Sequence, residues 1–450
     1  MMPKVLQNPT AKLVLVPVTY AALGLLLYAR CMKMFLAMED FFHIAWVEQG
    51  GLEGVAAAFY SNNEYGLYRP LTIHVYFYLC RLLFGLNPMG YHALNMISQV
   101  ANGVLVFMLV AALSRSRWIG FIAGVVYLCR MSHFLGVFWV SGIQEVWLAF
   151  WYLALPFALV LYSFLFNEQL NARTIIRRCG IFFVVLGCYL AAKFLLWTLP
   201  ATSLYETGFG IWLIRNVLAY GIWETNLIYV AFICAKLFAG LNPYAFLLRE
   251  DLLRQILGAG MLAAFAILIS FRKKILPITR VREKDALARI AIMGMLFFLI
   301  SLAPALMLKN RTQHFYLFVP SIGFSMTVAA VLGRYLKRPA AAFVLAIGVA
   351  VALVGYRLVE KVPDGRTDLS ARSFLADLNQ ILEKRKDITA VYVRGSDTRV
   401  YQVLWYGDAF KTFLHRPVSV LFDFQGEPSS DKERTLTLIY DGEHLHESPF

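Results

Sequence analysis

The sequence predicts an all-α polytopic membrane protein with about nine to eleven transmembrane helices, interfacial helices in its first outer loop, and a small C-terminal α/β domain. Three observations predict this. Of 450 residues, 59% are hydrophobic and 16% charged, far from the balance of a soluble domain. Apolar runs recur up to about residue 356, and the composition turns polar beyond it. The basic residues behind the net charge of +14 gather in short segments between those runs, a pattern that sets topology and leaves no basic aromatic groove for nucleic acid.

Residues 12–30 form the first apolar run, behind Lys4 and Lys12. It is long for the apolar region of a signal peptide, although Leu36-Ala37-Met38 offers a weak cleavage site, so it reads as an uncleaved anchor with the N-terminus in the cytoplasm. Spans follow at 91–113, 118–140, 146–166, 179–199, 256–271, 286–308, 316–333 and 340–356. Arg115 and Arg117, then Arg173, Arg177 and Arg178, then Arg272 to Lys284, and finally Arg334, Lys337 and Arg338 all fall on the cytoplasmic side of one threading. That makes nine crossings with the C-terminal segment outside, and Ile211–Tyr220 with Asn226–Phe238 allow two more.

The first outer loop, residues 31–90, holds the most informative pair in the chain, Glu39-Asp40. Acids cost several kcal/mol in lipid, so a pair at the mouth of a span reads either as a working site or as a solvated end of the helix. Phe41–Phe59 mixes apolar and polar residues at helical spacing and is broken by Gly50-Gly51. A second aromatic-rich segment runs from Pro70 to Phe84. Both suit helices lying in the membrane interface.

Span two carries His92, Asn95, Gln99 and Asn102 at spacings that place them on one helix face. Such a stripe points into the bundle, either to bond neighbouring helices or to serve a site. Arg130 and His133 stand three apart on the outer half of span three, Glu145 lies in the loop after it, and Lys193 sits near the outer end of span five. Lys309 and Arg311, with His314 and Tyr316, lie opposite the cytoplasmic clusters, and a bound anion accounts for that exception. The stripe on span two descends to about mid-membrane, whereas Glu39, Asp40, Arg69, His92, Arg130, His133, Glu145, Lys193, Arg311 and His314 all fall near the outer leaflet. Carboxylates that can take a proton from a hydroxyl, with cations that can hold a phosphate leaving group, suit sugar transfer from a lipid phosphate.

Several runs resemble a known family: Tyr68-Arg69-Pro70-Leu71-Thr72, the stretch from Gly85-Leu86-Asn87-Pro88 to His92-Ala93-Leu94-Asn95, Trp139-Val140-Ser141-Gly142-Ile143-Gln144-Glu145, and Arg311 to Tyr316-Leu317-Phe318-Val319-Pro320-Ser321. Together they resemble GT-C glycosyltransferases, and among these the membrane domain of transmembrane and tetratricopeptide-repeat O-mannosyltransferases and their bacterial relatives. The resemblance covers residues 12–335. It implies an inverting transferase that uses a polyprenyl- or dolichyl-phosphate sugar in a bacterial inner membrane, with the C-terminal domain in the periplasm. Asp40 matches the loop-one acid that serves as base, with Glu39 beside it. Arg311 matches the lipid-phosphate contact, with Lys309, Arg69, His314 and Tyr316 around it. His92, Asn95, Arg130, His133, Glu145 and Lys193 are then expected to bind substrate or support the site. Gln99, where a histidine is common, and Leu135, where an acid is common, depart from the pattern and leave open the sugar and the acceptor, whether protein, lipid or glycan.

The chain divides at 356/357 into a membrane domain and the C-terminal domain. Beyond it, Ala371–Lys386 reads as an amphipathic helix, and Ile388–Val393, Val418–Phe422 and Thr435–Tyr440 as strands. His415, His444 and His446 have no evident ligand partner there. The six cysteines lie in or beside apolar segments without metal-ligand spacing, so they read as small core residues. No cofactor is called for, although Glu39, Asp40 and Glu145 could ligate a divalent cation. A transporter or flippase, and a non-catalytic membrane scaffold, are the alternative readings.

Overall fold

A 20-residue apolar helix, α1 (Pro9–Tyr28), continues into a tighter turn over Ala29–Lys33. The structure is a computed structural model that describes residues 9–60, 69–153, 184, 206–226, 282–359, 367–395, 398–414, 417–425, 434–441 and 444–448. It forms two compact units. The first comprises residues 1–29, 95–137 and 145–359, the second residues 30–94, 138–144 and 360–450. The helices of the first outer loop thus share a unit with the C-terminal segment, where the sequence suggested separate domains on either side of 356/357.

Helix α2 (Glu39–Ala57) bends at Gly51, whose φ of 53° is open to glycine at little cost. A wide π-type turn over Pro70–Val75 leads into α3 (Tyr76–Phe84). There follow α4 (Pro88–Ser114), α5 (Arg117–Leu128), α6 (Phe134–Phe138), α7 (Trp212–Glu224), α8 (Arg282–Leu306), α9 (Pro320–Tyr335) and α10 (Arg338–Val359). Four stretches are long and apolar enough to cross a membrane: Leu15–Lys33, Pro88–Ser114, Ala286–Leu306 and Arg338–Arg357. A fifth joins α5 to residues 131–138 if that pair, bent by 51°, is one span. These coincide with expected spans, whereas α9 has 16 residues where a span over 316–333 was expected. The expected spans at 179–199 and 256–271, most of 146–166 and much of 200–255 lie outside the described residues, and the described chain shows four or five candidate crossings where nine to eleven were expected.

The straight span expected over 118–140 is not what forms. Helix α5 ends at Leu128, and a turn over Met131–His133 restarts the chain in a new direction. Arg130 and His133 therefore sit at a break, not along one continuous helix.

Two glycines bring α8 and α9 together. A Cβ on Gly323 would lie 2.3 Å from the Gly294 carbonyl oxygen and 2.7 Å from the Phe298 nitrogen. Backbones this close allow no side chain between them, the small-residue packing that membrane helices use in place of a hydrophobic driving force.

In the second unit, α11 (Thr367–Lys384) buries Ala371, Phe374, Leu375, Leu378 and Leu382 along one face. Strand β1 (Ala390–Arg394), helices α12 (Thr398–Val403) and α13 (Asp408–Phe413), and strands β2 (Ser419–Phe422), β3 (Thr435–Tyr440) and β4 (Leu445–Glu447) follow. The sheet order is β2-β1-β3-β4, with β1 parallel to both neighbours and β4 antiparallel to β3. Val391 pairs with Val420 on one side and Leu436 on the other, and Phe374 packs on Phe422 and Tyr440. The three strands expected from the sequence are present within two residues, and β4 is additional. His444 and His446 have partners after all: His444 bonds Asp377 at 2.9 Å and His446 bonds Asp441 at 3.0 Å. His415 lies outside the described residues.

Gly323→Ala should destabilise the protein by about 1–3 kcal/mol through overpacking. Gly348→Ala, where a Cβ meets nothing within 4 Å, should leave the thermal midpoint in detergent unchanged. Equal midpoints for the two variants would remove the close crossing from the account.

Candidate functional site

Asp40 lies in the first turn of α2 and is 1% exposed. Its Oδ1 accepts the Ser141 amide at 2.8 Å and the Ser141 hydroxyl at 2.5 Å, while Oδ2 accepts the Ala37 amide at 3.1 Å. The Trp139 indole donates to the Ala37 carbonyl at 3.3 Å, so the chain around 37–40 is bound to the 139–141 segment on both sides. Burial pushes the Asp40 carboxyl up to about 7, against the lowering effect of its three donors, and the charge of Glu39 adds to the rise. Glu39 itself is half-buried.

Arg69 comes to the same segment from the other side, its guanidinium donating to Gln144 Oε1. Two histidines that the sequence reading passed over complete this neighbourhood. His43, one helical turn beyond Asp40, is buried with its ring 4.9 Å from Phe77, and neither ring nitrogen has a hydrogen-bond partner. His74 packs on Trp46 with ring centroids 4.0 Å apart. Burial holds both imidazoles neutral, His43 down at about 3 with His74 and Arg69 adding to the effect, and His74 at about 4. Their signal in the sequence was position: His43 shares the Asp40 face of α2, and His74 follows Arg69 by one turn. His92 is buried in this unit, and its carbonyl accepts the Cys31 thiol.

The C-terminal segment holds the acid loop from behind. Met38, at φ 57°, donates its amide to the Val403 carbonyl at 2.7 Å, and Phe413 meets Phe35 and Phe41 edge-on at 5.6 and 5.3 Å.

The other unit contains the basic group. Lys309 pairs with Glu206 at 2.9 Å, its ammonium 5.7 Å from the centre of the Trp212 ring. Arg215 of α7, which the sequence did not single out, donates to the Lys309 carbonyl at 2.7 Å. Arg311 and Tyr316 are half-buried close by, both acting on the Tyr220 hydroxyl. His314 meets Trp223 edge-on at 5.1 Å, and burial lowers it to about 4. It can therefore offer a neutral N–H but no charge to an anion.

Asn95, Gln99, Asn102, Arg130 and His133 form a third group inside this unit, bonded to the protein itself. Asn95 donates to the Gly136 carbonyl at 3.3 Å and Asn102 to the Val146 carbonyl at 2.9 Å. Arg130 donates Nε to the Val126 carbonyl at 2.9 Å and another nitrogen to the Glu224 carbonyl, with its guanidinium 5.3 Å from the centre of the Phe324 ring. Arg130 thus caps backbone. Glu145 is half-buried in a helical stretch from 143 to 153, not in a loop. Lys193 lies outside the described residues. Among the described residues, no group of three His, Cys, Asp or Glu side chains is placed to hold a metal ion.

The elements and sites define a helical membrane protein with a small mixed sheet and buried polar clusters. Comparison with models of known families, with curated proteins and with solved structures found no match.

Asp40 makes stability depend on pH in a stated direction. Its folded value of about 7 lies above the ordinary 3.8, so the folded state holds a proton that the unfolded chain has released, and stability falls as pH rises through that window. In Asp40→Asn an amide N–H faces the Ala37 amide, a loss of about 1–3 kcal/mol. The variant should trail the wild type most at about pH 4 and least above about pH 7 in thermal unfolding. A gap that stays constant with pH would mean that Asp40 does not titrate in this range.

Proposed function

We propose that the chain is an inverting GT-C-type glycosyltransferase that moves a sugar from a polyprenyl- or dolichyl-phosphate donor to a hydroxyl acceptor at the outer face of the membrane. One observation carries this reading: Asp40 and Arg69 of loop one each hydrogen-bond the 139–145 motif, at Ser141 and Gln144, so two of the runs that resemble the family meet the loop-one acid in one place. Asp40 is the base. An ionised carboxylate has about four lone-pair sites. Asp40 commits two on Oδ1 and one on Oδ2, which leaves a position on Oδ2 for the proton of an acceptor hydroxyl. A carboxyl at about 7 suits that task near neutral pH. Glu39 raises the basicity of Asp40 through its charge.

Arg311, with Lys309 and Tyr316, holds the lipid phosphate as it leaves, and His314 adds a neutral hydrogen bond. The N-terminus is cytoplasmic and the C-terminal domain periplasmic in a bacterial inner membrane, where that domain shapes acceptor access through its contacts with residues 35–41.

A transporter has one observation in its favour, the break between α5 and α6 with Arg130 and His133 at it, since broken helices with polar residues are how transporters build sites.

Transfer from a radiolabelled polyprenyl-phosphate sugar by the purified protein tests the proposal. Asp40→Asn should lower turnover by about 10²–10⁴-fold and Arg311→Ala by about 10²–10³-fold. Glu39→Gln should move the pH profile of the rate toward acid and retain activity. Full activity in Asp40→Asn and Arg311→Ala refutes the site, and no transfer with any donor favours the transporter or a scaffold.

A further inference from the structure

An acid that the sequence reading did not single out stands inside the unit that carries the broken helix. Glu224, the last residue of α7, is fully buried, and the charge of Arg130, whose guanidinium donates to the Glu224 carbonyl, acts on its carboxylate. Its Oε2 meets the Ser321 hydroxyl at 2.8 Å, Ser321 Oγ meets His133 Nε2 at 3.1 Å, and His133 Nδ1 meets Gln99 Nε2 at 2.8 Å. All four side chains are 0% exposed, and they come from four separate segments of the chain. The Phe318 ring stacks on the His133 imidazole at 4.2 Å and holds its plane. The Ser132 hydroxyl also faces the Glu224 carboxyl, and Gln99 Oε1, buried in the cluster, has no hydrogen-bond partner.

We propose that Glu224, Ser321, His133 and Gln99 form a buried proton relay, with Glu224 as the group that stores the proton. In the resting order Gln99 donates N–H to His133 Nδ1, His133 Nε2–H donates to Ser321, and the Ser321 hydroxyl donates to the ionised carboxylate. Once the Gln99 amide turns over and frees the Nδ1 lone pair, a proton that enters the cluster binds at Nδ1, and each proton then moves one bond along. The Nε2 proton passes to Ser321 as the Ser321 proton passes to Glu224 Oε2. The chain then reads in reverse, with neutral Glu224 donating to Ser321, Ser321 donating to Nε2, and Nδ1–H donating to Gln99 Oε1 after the amide turns over. One proton enters, one carboxylate charge is neutralised, and every other member keeps its proton count. The unpartnered Gln99 Oε1 is the acceptor that the reversed order requires.

The groups facing Glu224 suit this role. Arg130 spends its guanidinium on the Val126 and Glu224 carbonyls, Tyr127 donates its hydroxyl to the Phe318 carbonyl at 3.4 Å, and His314 faces the preceding Trp223. Helix α8 contributes Phe298, Leu302, Ala305 and Leu306 to the apolar cluster that holds the neighbouring Trp223. Burial disfavours the ionised form of a carboxyl, so an incoming proton is drawn to Glu224 against the opposing Arg130 charge. The relay rests on neither reading of the function above.

Infrared difference spectra of the full chain in lipid nanodiscs, from about pH 4 to about pH 9, test it on an Asp40→Asn background that removes the other acid buried among the described residues. A buried carboxylic-acid carbonyl band should grow as pH falls, shift in D2O, and be lost in Glu224→Gln. Nitrogen NMR of histidine-labelled protein should find His133 Nδ1 changing from acceptor to donor over the same pH interval. Gln99→Leu should keep the infrared band and abolish the change at Nδ1. A band that survives in Glu224→Gln, or a His133 tautomer that stays constant while the acid titrates, overturns the relay. Should Glu224→Gln fail to fold, the parent protein and Gln99→Leu decide it through the NMR signal alone.

Discussion

A helix interrupted among membrane-spanning neighbours frees carbonyls and amides that must find new partners, because no water is at hand to take them. The break after Leu128 draws on distant side chains to meet that demand. The Tyr28 hydroxyl bonds the Leu128 carbonyl, Asn226 bridges the Cys129 carbonyl and the Met131 amide at 2.9 and 3.0 Å, and the Tyr356 hydroxyl takes the Arg130 carbonyl at 2.7 Å. Arg130 turns back on its own helix and reaches across to α7. Segments from α1, α7 and α10 are thereby fixed around one short stretch of irregular backbone. Its rigidity is what allows a buried histidine, serine and glutamate to hold hydrogen-bond distances in its lee.

The second unit solves a similar problem with a charge in place of a backbone. Asp40 has donors on both oxygens and no cation, so its proton affinity is set by burial on one side and by Ser141 and Ala37 on the other. The same bonds anchor the entrance to α2. A group that fastens its loop and also titrates near neutrality makes chemistry and structure inseparable at that point, and the aromatic contacts of Phe413 extend the dependence to the C-terminal segment.

Much of this was legible in the residues. The apolar runs at 12–30, 91–113, 286–308 and 340–356 became helices, Gly51 bent α2 as its neighbour Gly50 suggested, and the stripe Gln99, Asn102 on α4 is buried and bonded inward. Strands β1, β2 and β3 were legible from alternation. Strand β4 was not, since Leu445-His446-Glu447 has too few residues for a period and forms only because β3 offers it an edge. The break at 129–130 was hidden for a different reason: the run from Trp118 to Val140 is apolar nearly throughout, and nothing local to it ends a helix. What ends it lies about a hundred or more residues away at Tyr28, Asn226 and Tyr356.

By itself, the sequence determined the membrane class, the position of the apolar helices, the presence of a small α/β region and the list of polar residues costly to bury. Hydrophobicity and period are local sums, and a chain carries them without reference to its fold. Only the tertiary structure decided which of those polar residues meet: Asp40 with Ser141, Arg69 with Gln144, Glu224 with Ser321 and His133. A hydrogen bond acts over about 3 Å, and no spacing along the chain reveals which distant segments will come within that reach.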